Sequence, residues 1–520
     1  MRPGRVMGIE TEYGVITPGR PEANPVAMST VIVRAYAAGV PSAPWDYAGE
    51  DPLNDARGFR MGPADADPSQ LTDDPDAAAP AGPVDLHEVG RTILRGGPAN
   101  AVLPNGARLY VDHAHPEYSS PEVVSALDAV TWDRAGDEIM REAMATLRRA
   151  GGEIVVYKNN VDGKGASYGT HENYLVERSV PFGEIASYLT PFFVTRPLFA
   201  GSGRVGLGQR SGEPGFQISQ RADYIENDIG LETTFNRPII NTRDEPHADP
   251  ERFRRLHVII GDANTFDVPN FLKFATTDLV LGLIEAGEVP LELDAITLTA
   301  PVVDVRGVSR EPFGHVLSTQ GSSAMRALDI QRAYLDLVDA HFTRTGRHGE
   351  VAETLALWDH VLDGLADDPE SVADCVEWVA KRQLLEGMRE RSRSGWNDPR
   401  LAALDLQWSD LRPERSVVSR LDAAGRVRRL VSPQEVARAV GTPPANTRAW
   451  LRGELIRRFP DGVAAAGWSS IVLDSPRRGR LLRIPLTDPR SATEERAGNL
   501  VKNNGTIDEL LDALGGRERH

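Results

Sequence analysis

Apolar and polar positions alternate along "MGIETEYGV", which begins at Met7. Ile9, Thr11 and Tyr13 fall on one side and Glu10 and Glu12 on the other, the period of a strand with one buried face. The same alternation returns before "HAHPEY": Leu109 and Val111 face a core, while Arg108, Tyr110 and Asp112 share the opposite side. "GEIVVYKNNVD" and "ASYGTHENYLVER" read as two strands joined by the turn "NVDGKG". "FQISQRADYI" and "RPIINTRDEPH" read as extended, and "RRLHVIIGDAN" as a further strand. A helical period takes over elsewhere: in a helix beginning near Asn24, in "SALDAVTWDRAGDEIMREAMATLRRAG" with Gly151 and Gly152 as its stop, in "VPFGEIASYLTPFFVTRPLFAG", in "VPNFLKFATTDLVLGLIEAG", and in long helices over roughly 322–395. Strands dominate the first half and helices the second. That order predicts an α+β protein built on an antiparallel sheet with helices on one face.

Two stretches break the pattern. From Trp45 to Pro83 the chain is rich in Asp, Pro, Gly and Ala, with no sustained apolar period and no Lys or Arg between Met61 and Gly90. It predicts a mobile insertion loop over about 45–83 inside one domain, followed by a helix near 84–95. Near the other end, "VSPQEVARAVG", two short strands in "WSSIVLDSPRRGRLLRIPLTDP" and a last helix in "GTIDELLDALGG" predict a small C-terminal domain over 431–520, after a catalytic domain over 1–430.

Composition narrows the class. The 520 residues are 41% hydrophobic and 26% charged, enough for a normal globular core. The net charge of -17 argues against a dedicated nucleic-acid binder, so no nucleic-acid partner is expected. Cys375 is the single cysteine, which excludes an intrachain disulfide, fits a reducing compartment, and is expected to pack on a helix face. The opening residues lack a long apolar core of the signal-peptide kind, and no apolar run reaches the roughly 20 residues a spanning helix needs. A cytoplasmic protein without membrane contact is expected.

The polar faces of the strands carry the chemistry. Glu10 pairs with Glu12, Tyr110 with Arg108 and Asp112, His171 with Asn173, and Arg255 with His257, each set two residues apart. One alternating strand with a polar face is usually only solvated, and a single histidine such as His257 among apolar neighbours is usually a core residue. Four such strands in one chain change the balance. Their donors are oxygen and imidazole, with no sulfur, which suits Mg²⁺ or Mn²⁺; the arginines suit phosphate. The set predicts a nucleotide–metal site on one face of the sheet, where Asp112 could act as nucleophile or general base. No Walker A, GxGxxG or HExxH motif is present, and "GSGRVGLGQRSGEPG" lacks the P-loop spacing and reads as a flexible turn.

"MGIETEYGV", "NGARLYVDHAHPEY", "SYGTHENYL", "RPIINTRDEPHADPERFRRLHVIIGDAN" and "ALDIQRAYL" together resemble the Pup ligase/deamidase family, Pup being the prokaryotic ubiquitin-like protein. The family is related to carboxylate–amine ligases of the glutamine synthetase type, so the resemblance implies a glutamine synthetase-like antiparallel sheet and a small C-terminal domain. The insertion at about 45–83 and the spacing in "VDHAHPEYSS" resemble the deamidase/depupylase branch more than the ligase branch. That branch implies deamidation of the C-terminal glutamine of Pup, cleavage of Pup–lysine isopeptide bonds, ATP and Mg²⁺ as cofactors, Pup and pupylated proteins as partners, and a link to proteasomal degradation. The alternative it leaves open is a Pup–protein ligase coupling ATP hydrolysis to isopeptide formation. By position, Asp112 matches the catalytic aspartate, and Glu10, Tyr110, Glu117 and His257 match metal-binding residues. Arg108, Ser120, His171, Arg255 and Trp468 match cofactor-binding residues. An acidic, extended Pup would need a basic groove, for which Arg389–Trp396, Arg448 and Arg452 are the candidates.

Overall fold

The computed structural model describes residues 4–62, 64, 66, 99–287, 291–321, 324–347 and 349–517. Its centre is a seven-stranded sheet. The strands are β1 (Met7–Glu12), β2 (Ala43–Pro44), β3 (Asn100–Val102), β4 (Arg108–Asp112), β5 (His115–Ser119), β6 (Thr170–Glu177) and β7 (Phe253–Val258). They lie in the order β7-β6-β1-β5-β4-β3-β2, every pair antiparallel. The sheet is therefore the antiparallel one that the alternating patterns require.

Helices cover the face that carries Ile9, Leu109, Tyr118, Tyr174 and Leu256, all buried. α1 (Pro25–Ala37) opens as its sequence dictates, with Asn24 accepting a hydrogen bond from Ala27 N and Pro25 in the first turn. α2 (Ala126–Arg149) is capped by Ser125, whose side chain accepts from Asp128 N; the chain leaves it through Gly151 at a φ of 85°. α3 (Phe182–Thr195) and α4 (Asp267–Glu285) complete the layer against the sheet. α5 (Ala327–Thr345) and α6 (Glu350–Asp367) pack outside them, and α7 (Glu377–Ser392) follows. Cys375 is buried in the turn just before α7, not on a helix face. No helix among the described residues is long and apolar enough to cross a membrane.

Charged groups are buried within this apolar layer, among them Lys158 with two aspartates. Lys158 Nζ meets Asp133 Oδ2 at 2.7 Å and Asp137 Oδ2 at 3.0 Å. Thr11 donates to Asp133 at 3.0 Å, and Tyr13 to Asp137 at 2.9 Å. β1 is thus tied to α2 from behind by two side chains of the parity opposite to Glu10 and Glu12.

Three details depart from the sequence expectation. Val155–Tyr157 pairs with Gly14–Ile16, not with β6, because Tyr13 breaks the edge of β1 and sends the next three residues to a separate ladder. The expected insertion is folded over its first part. Asn54–Asp55 pairs with Phe59–Arg60, Thr242 donates to Asp55 at 2.6 Å, and Trp45 is buried. The rest of that insertion, and the helix expected near 84–95, lie outside the described residues. Last, the C-terminal region holds three strands instead of two: β8 (Val463–Ala466), β9 (Ser470–Ser475) and β10 (Arg480–Pro485). Together with α8 (Ala449–Arg458) and α9 (Glu494–Lys502) they share a core with Ala43, Trp45 and Val102, so this unit is seated on the β2–β3 edge of the main sheet.

Candidate active site

The uncovered face of the sheet is organised by strand register. Residues directly opposite each other on neighbouring strands share a face. Glu10 stands between His171 on β6 and Ser119 on β5, and Ser119 in turn faces Arg108 on β4. One row along, Glu12 faces Glu117, which faces Tyr110. On the other side of Glu10, Asn173 faces His257. Five strands therefore deliver one continuous polar surface, and the turn His113–Ala114 sets Asp112 at its end.

Two ligand groups emerge. Glu10, His171 and His257 each offer an atom within 4.8 Å of the others, as do Glu12, Asp112 and Glu117. In the first group, His171 Nδ1 lies 3.2 Å from Glu10 Oε2, Asn173 donates to Glu10 at 3.1 Å, and His257 Nδ1 lies 2.9 Å from Asn173 Oδ1. Burial opposes the ionisation of Glu10, yet the hydrogen bond and charge of His171, with Arg255 and Arg243, bring its carboxyl down to about 2. Burial, then the charge of Arg255, hold His257 well below its ordinary value, so it is a neutral imidazole with a lone pair to offer.

The second group is set against itself. Burial, then the charge of Asp112, push Glu12 up to about 8. Burial, then Asp112, Glu10 and Glu12, push Glu117 well above the usual carboxylate range. Tyr110 stays protonated and donates to Glu117 Oε1 at 2.6 Å, and Ser119 donates to the same oxygen at 3.1 Å. Gly169 N donates to Glu12. Burial resists the ionisation of Asp112 as well, but the hydrogen bond and charge of His113, then His171 and Arg108, keep it below its ordinary value. Three crowded carboxylates with oxygen ligands only are what a hard divalent cation relieves, so the residues fit Mg²⁺.

Beside Glu10 the sheet opens into a cavity of about 80 Å³. Ser120, Arg255 and Trp468 line it, along with Glu122, His247 and Arg448. Arg255 Nε is buried without a hydrogen-bond acceptor, an arrangement that fits an incoming phosphate oxygen. Trp468 meets Trp45 edge-on with ring centres 5.2 Å apart. The Ser120 hydroxyl is engaged by the backbone, accepting from Ile9 N at 3.0 Å and donating to Pro121 O at 3.1 Å.

The sequence-derived candidates thus divide by place. Glu10, His171 and His257 gather in one group, and Asp112 and Glu117 in the other, with Tyr110 acting on Glu117. Ser120, Arg255 and Trp468 meet in the cavity. Arg108 lies outside that lining, with its guanidinium 4.0 Å from the Trp45 ring centre and 3.8 Å from that of Tyr110. His171 also falls outside the lining and belongs with the metal-capable side chains. Sequence reading placed Glu12 on this face without giving it a ligand role, although parity alone puts it beside Glu10. It also placed Arg448 and Arg452 on a basic surface for Pup. The structure buries both: Arg448 donates to Glu122 at 2.7 Å, Arg452 also pairs with Glu122, and neither is available to a surface groove.

Comparison with known proteins gives a consistent picture. A family model described as Pup-ligase protein matches residues 5–472. A depupylase of Acidothermus cellulolyticus is 46% identical over 528 residues, covering 99% of this chain and 100% of that protein. A Pup deamidase/depupylase of Mycobacterium tuberculosis is 46% identical, covering 98% and 99%. A Pup–protein ligase of Paenarthrobacter aurescens is 38% identical, covering 83% and 95%. Among solved structures, a complex between Pup and its ligase PafA matches with a TM-score of 0.77 and 30% identity over 99% of this chain and 95% of that one. The Pup ligase PafA in complex with ADP matches with a TM-score of 0.71 and 34% identity, over 79% and 92%. The fold is accordingly the glutamine synthetase-like antiparallel sheet shared with these ligases.

Proposed function

This chain belongs to the Pup-ligase family, and on that premise we propose that it is the hydrolytic member, a Pup deamidase/depupylase. It converts the C-terminal glutamine of Pup to glutamate and cleaves the isopeptide bond between that glutamate and a substrate lysine. Both bonds are amides of one γ-carboxyl, so a single site serves both. The observation that carries the reading is the placement of Asp112, an ionised carboxylate at the open end of the β4–β5 hairpin, within one ligand group with Glu12 and Glu117. The higher identity to depupylases than to ligases, over nearly the full length, favours hydrolysis over ligation.

The chain's own residues divide the work. Asp112 attacks the γ-carbonyl carbon, or takes a proton from the water that does so. The departing nitrogen leaves as ammonia or as the lysine amine, and water releases the acyl group as the free acid. Glu12 and Glu117, steadied by Gly169 N, Tyr110 and Ser119, would hold Mg²⁺ near Asp112, and Glu10, His171 and His257 would hold a further ion. A bound Mg²⁺ supplies charge stabilisation for the developing oxyanion. Arg255, Ser120 and Trp468 would hold the nucleotide, ATP, as a retained cofactor. Arg108 orders the same face through Tyr110 and Asn100, to which it donates at 3.0 Å. The protein would act on Pup and pupylated proteins in the cytoplasm, upstream of proteasomal degradation.

Incubation with Pup ending in glutamine, ATP and Mg²⁺, followed by mass spectrometry, tests this. Replacement of the terminal carboxamide by a carboxylate, lost in Asp112→Asn, is the expected result. Conjugation of Pup to added lysine-bearing proteins, with ADP formed in step, would assign the ligase reaction instead.

A further inference from the structure

We propose that Arg448, carried by the C-terminal unit, is itself a nucleotide-binding residue, aimed by Glu122 and Arg452. The inference rests on the reading of the Trp468–Arg255 cavity as the nucleotide site.

Arg448 is 2% exposed and Arg452 is fully buried. A guanidinium carries five N–H donors in a rigid fork. In Arg448, Nε donates to Glu122 Oε1 at 2.7 Å, and Nη1 donates to His247 O at 2.7 Å and to Leu486 O at 2.6 Å. That uses three donors. The two on Nη2 have no acceptor among the described residues, while the side chain lines the cavity beside Trp468 and His247. A buried guanidinium with three donors engaged and Nη2 unmatched, on a side chain that lines a cavity, is prepared to donate to a ligand.

The fastening itself argues for aim. His247 turns its carbonyl toward Arg448 from a left-handed backbone, at a φ of 48°, a conformation uncommon outside glycine. Arg452 supports the arrangement from below. It donates to Gly106 O from Nε at 3.0 Å, to Trp468 O at 3.2 Å, and its guanidinium lies 4.9 Å from the Trp468 ring centre. One carboxylate, Glu122, thereby fixes two guanidiniums and, through Arg452, the tryptophan of the same cavity. Glu10 and Glu122 balance Arg255 and Arg448 in the lining, so the fit to a nucleotide rests on placed donors, which match the lone pairs of its base and ribose, and not on excess charge.

Equilibrium binding of ATP and ADP to the full chain tests the proposal, read alongside thermal unfolding of the nucleotide-free protein. Arg448→Gln is expected to weaken both nucleotides by on the order of tenfold or more. The ATP concentration giving half-maximal turnover should rise by more than kcat falls. Arg448→Lys, which keeps the charge beside Glu122 but not the fork, should show the same loss and serves if the glutamine variant does not fold. Arg452→Gln should lower affinity less, by disordering its neighbours. Unchanged nucleotide affinity in a folded Arg448 variant overturns the proposal. Trp468→Ala separates the two layers. If it weakens nucleotide binding while the Arg448 variants do not, only the role of Arg448 fails. If neither change has an effect, the cavity is not the nucleotide site and both readings fall.

Discussion

Glu12 and Glu117 face each other across neighbouring antiparallel strands, both buried, both with carboxyl groups pushed upward by burial and by the charges of the same cluster. The fold holds together groups that repel each other, and that cost belongs to the site and not to the scaffold. Glu12→Gln should therefore raise the unfolding temperature of the metal-free protein by a few degrees while abolishing the further rise that Mg²⁺ gives the parent chain. Thermal unfolding with and without Mg²⁺ reads both. A variant that is less stable without metal would mean the pair is held for structure.

Asp112 sits at a hairpin end, and its hydrogen bond within the protein is to its neighbour His113. Asp112→Asn should leave the unfolding temperature within about a degree or two of the parent and lower turnover of Pup amides by about a thousandfold or more. Measured rates with a glutamine-ended Pup and with a Pup conjugate should fall together, since one carboxylate serves both bonds.

The buried lysine behind β1 makes a stability prediction. Lys158→Met leaves Asp133 and Asp137 without their cation in a dry layer and should cost on the order of 3–5 kcal/mol in a urea titration. Because Thr11 and Tyr13 hang from the same two carboxylates, metal affinity at Glu10 and Glu12 should weaken as well. Loss of stability with unchanged metal affinity would limit the network to a structural role.

Acid should loosen the C-terminal unit. Burial opposes ionisation of Glu122, but Arg452 and Arg448 hold its carboxyl down at about 2. A depressed folded value means stability that is complete above the unfolded carboxylate pKa, near 4.3, and that is lost as pH falls toward about 2. Unfolding followed over that window should show a pH-dependent component that Glu122→Gln removes, at the expense of lower stability at neutral pH.

Side-chain parity alone makes most of this legible in the sequence. Glu10, Asp112, His171 and His257 each announce their face by spacing of two, and the register merely lines the strands up. Glu117 was beyond parity, because a reversal hides in "DHAH": His113 takes a φ of 51° and β5 starts two residues later. Arg448 and Arg452 misled for a different reason. Locally they read as exposed basic residues of a helix, and the carboxylate that buries them lies more than three hundred residues earlier, outside any sequence window. The pairing of Val155–Tyr157 failed similarly, since adjacency along the chain favoured a hairpin that the break at Tyr13 redirects.

The short turn at His113–Ala114 also limits how such a chain can diverge. Gaining or losing one residue there would swap every on-face and off-face side chain of β5, taking Glu117 and Ser119 away from the reaction and placing Tyr118 in their stead. The hairpin acts as a ruler with divisions of two. A lineage whose turn differs by one residue must therefore absorb it in a bulge or another turn type before β5, so that Glu117 still meets Tyr110.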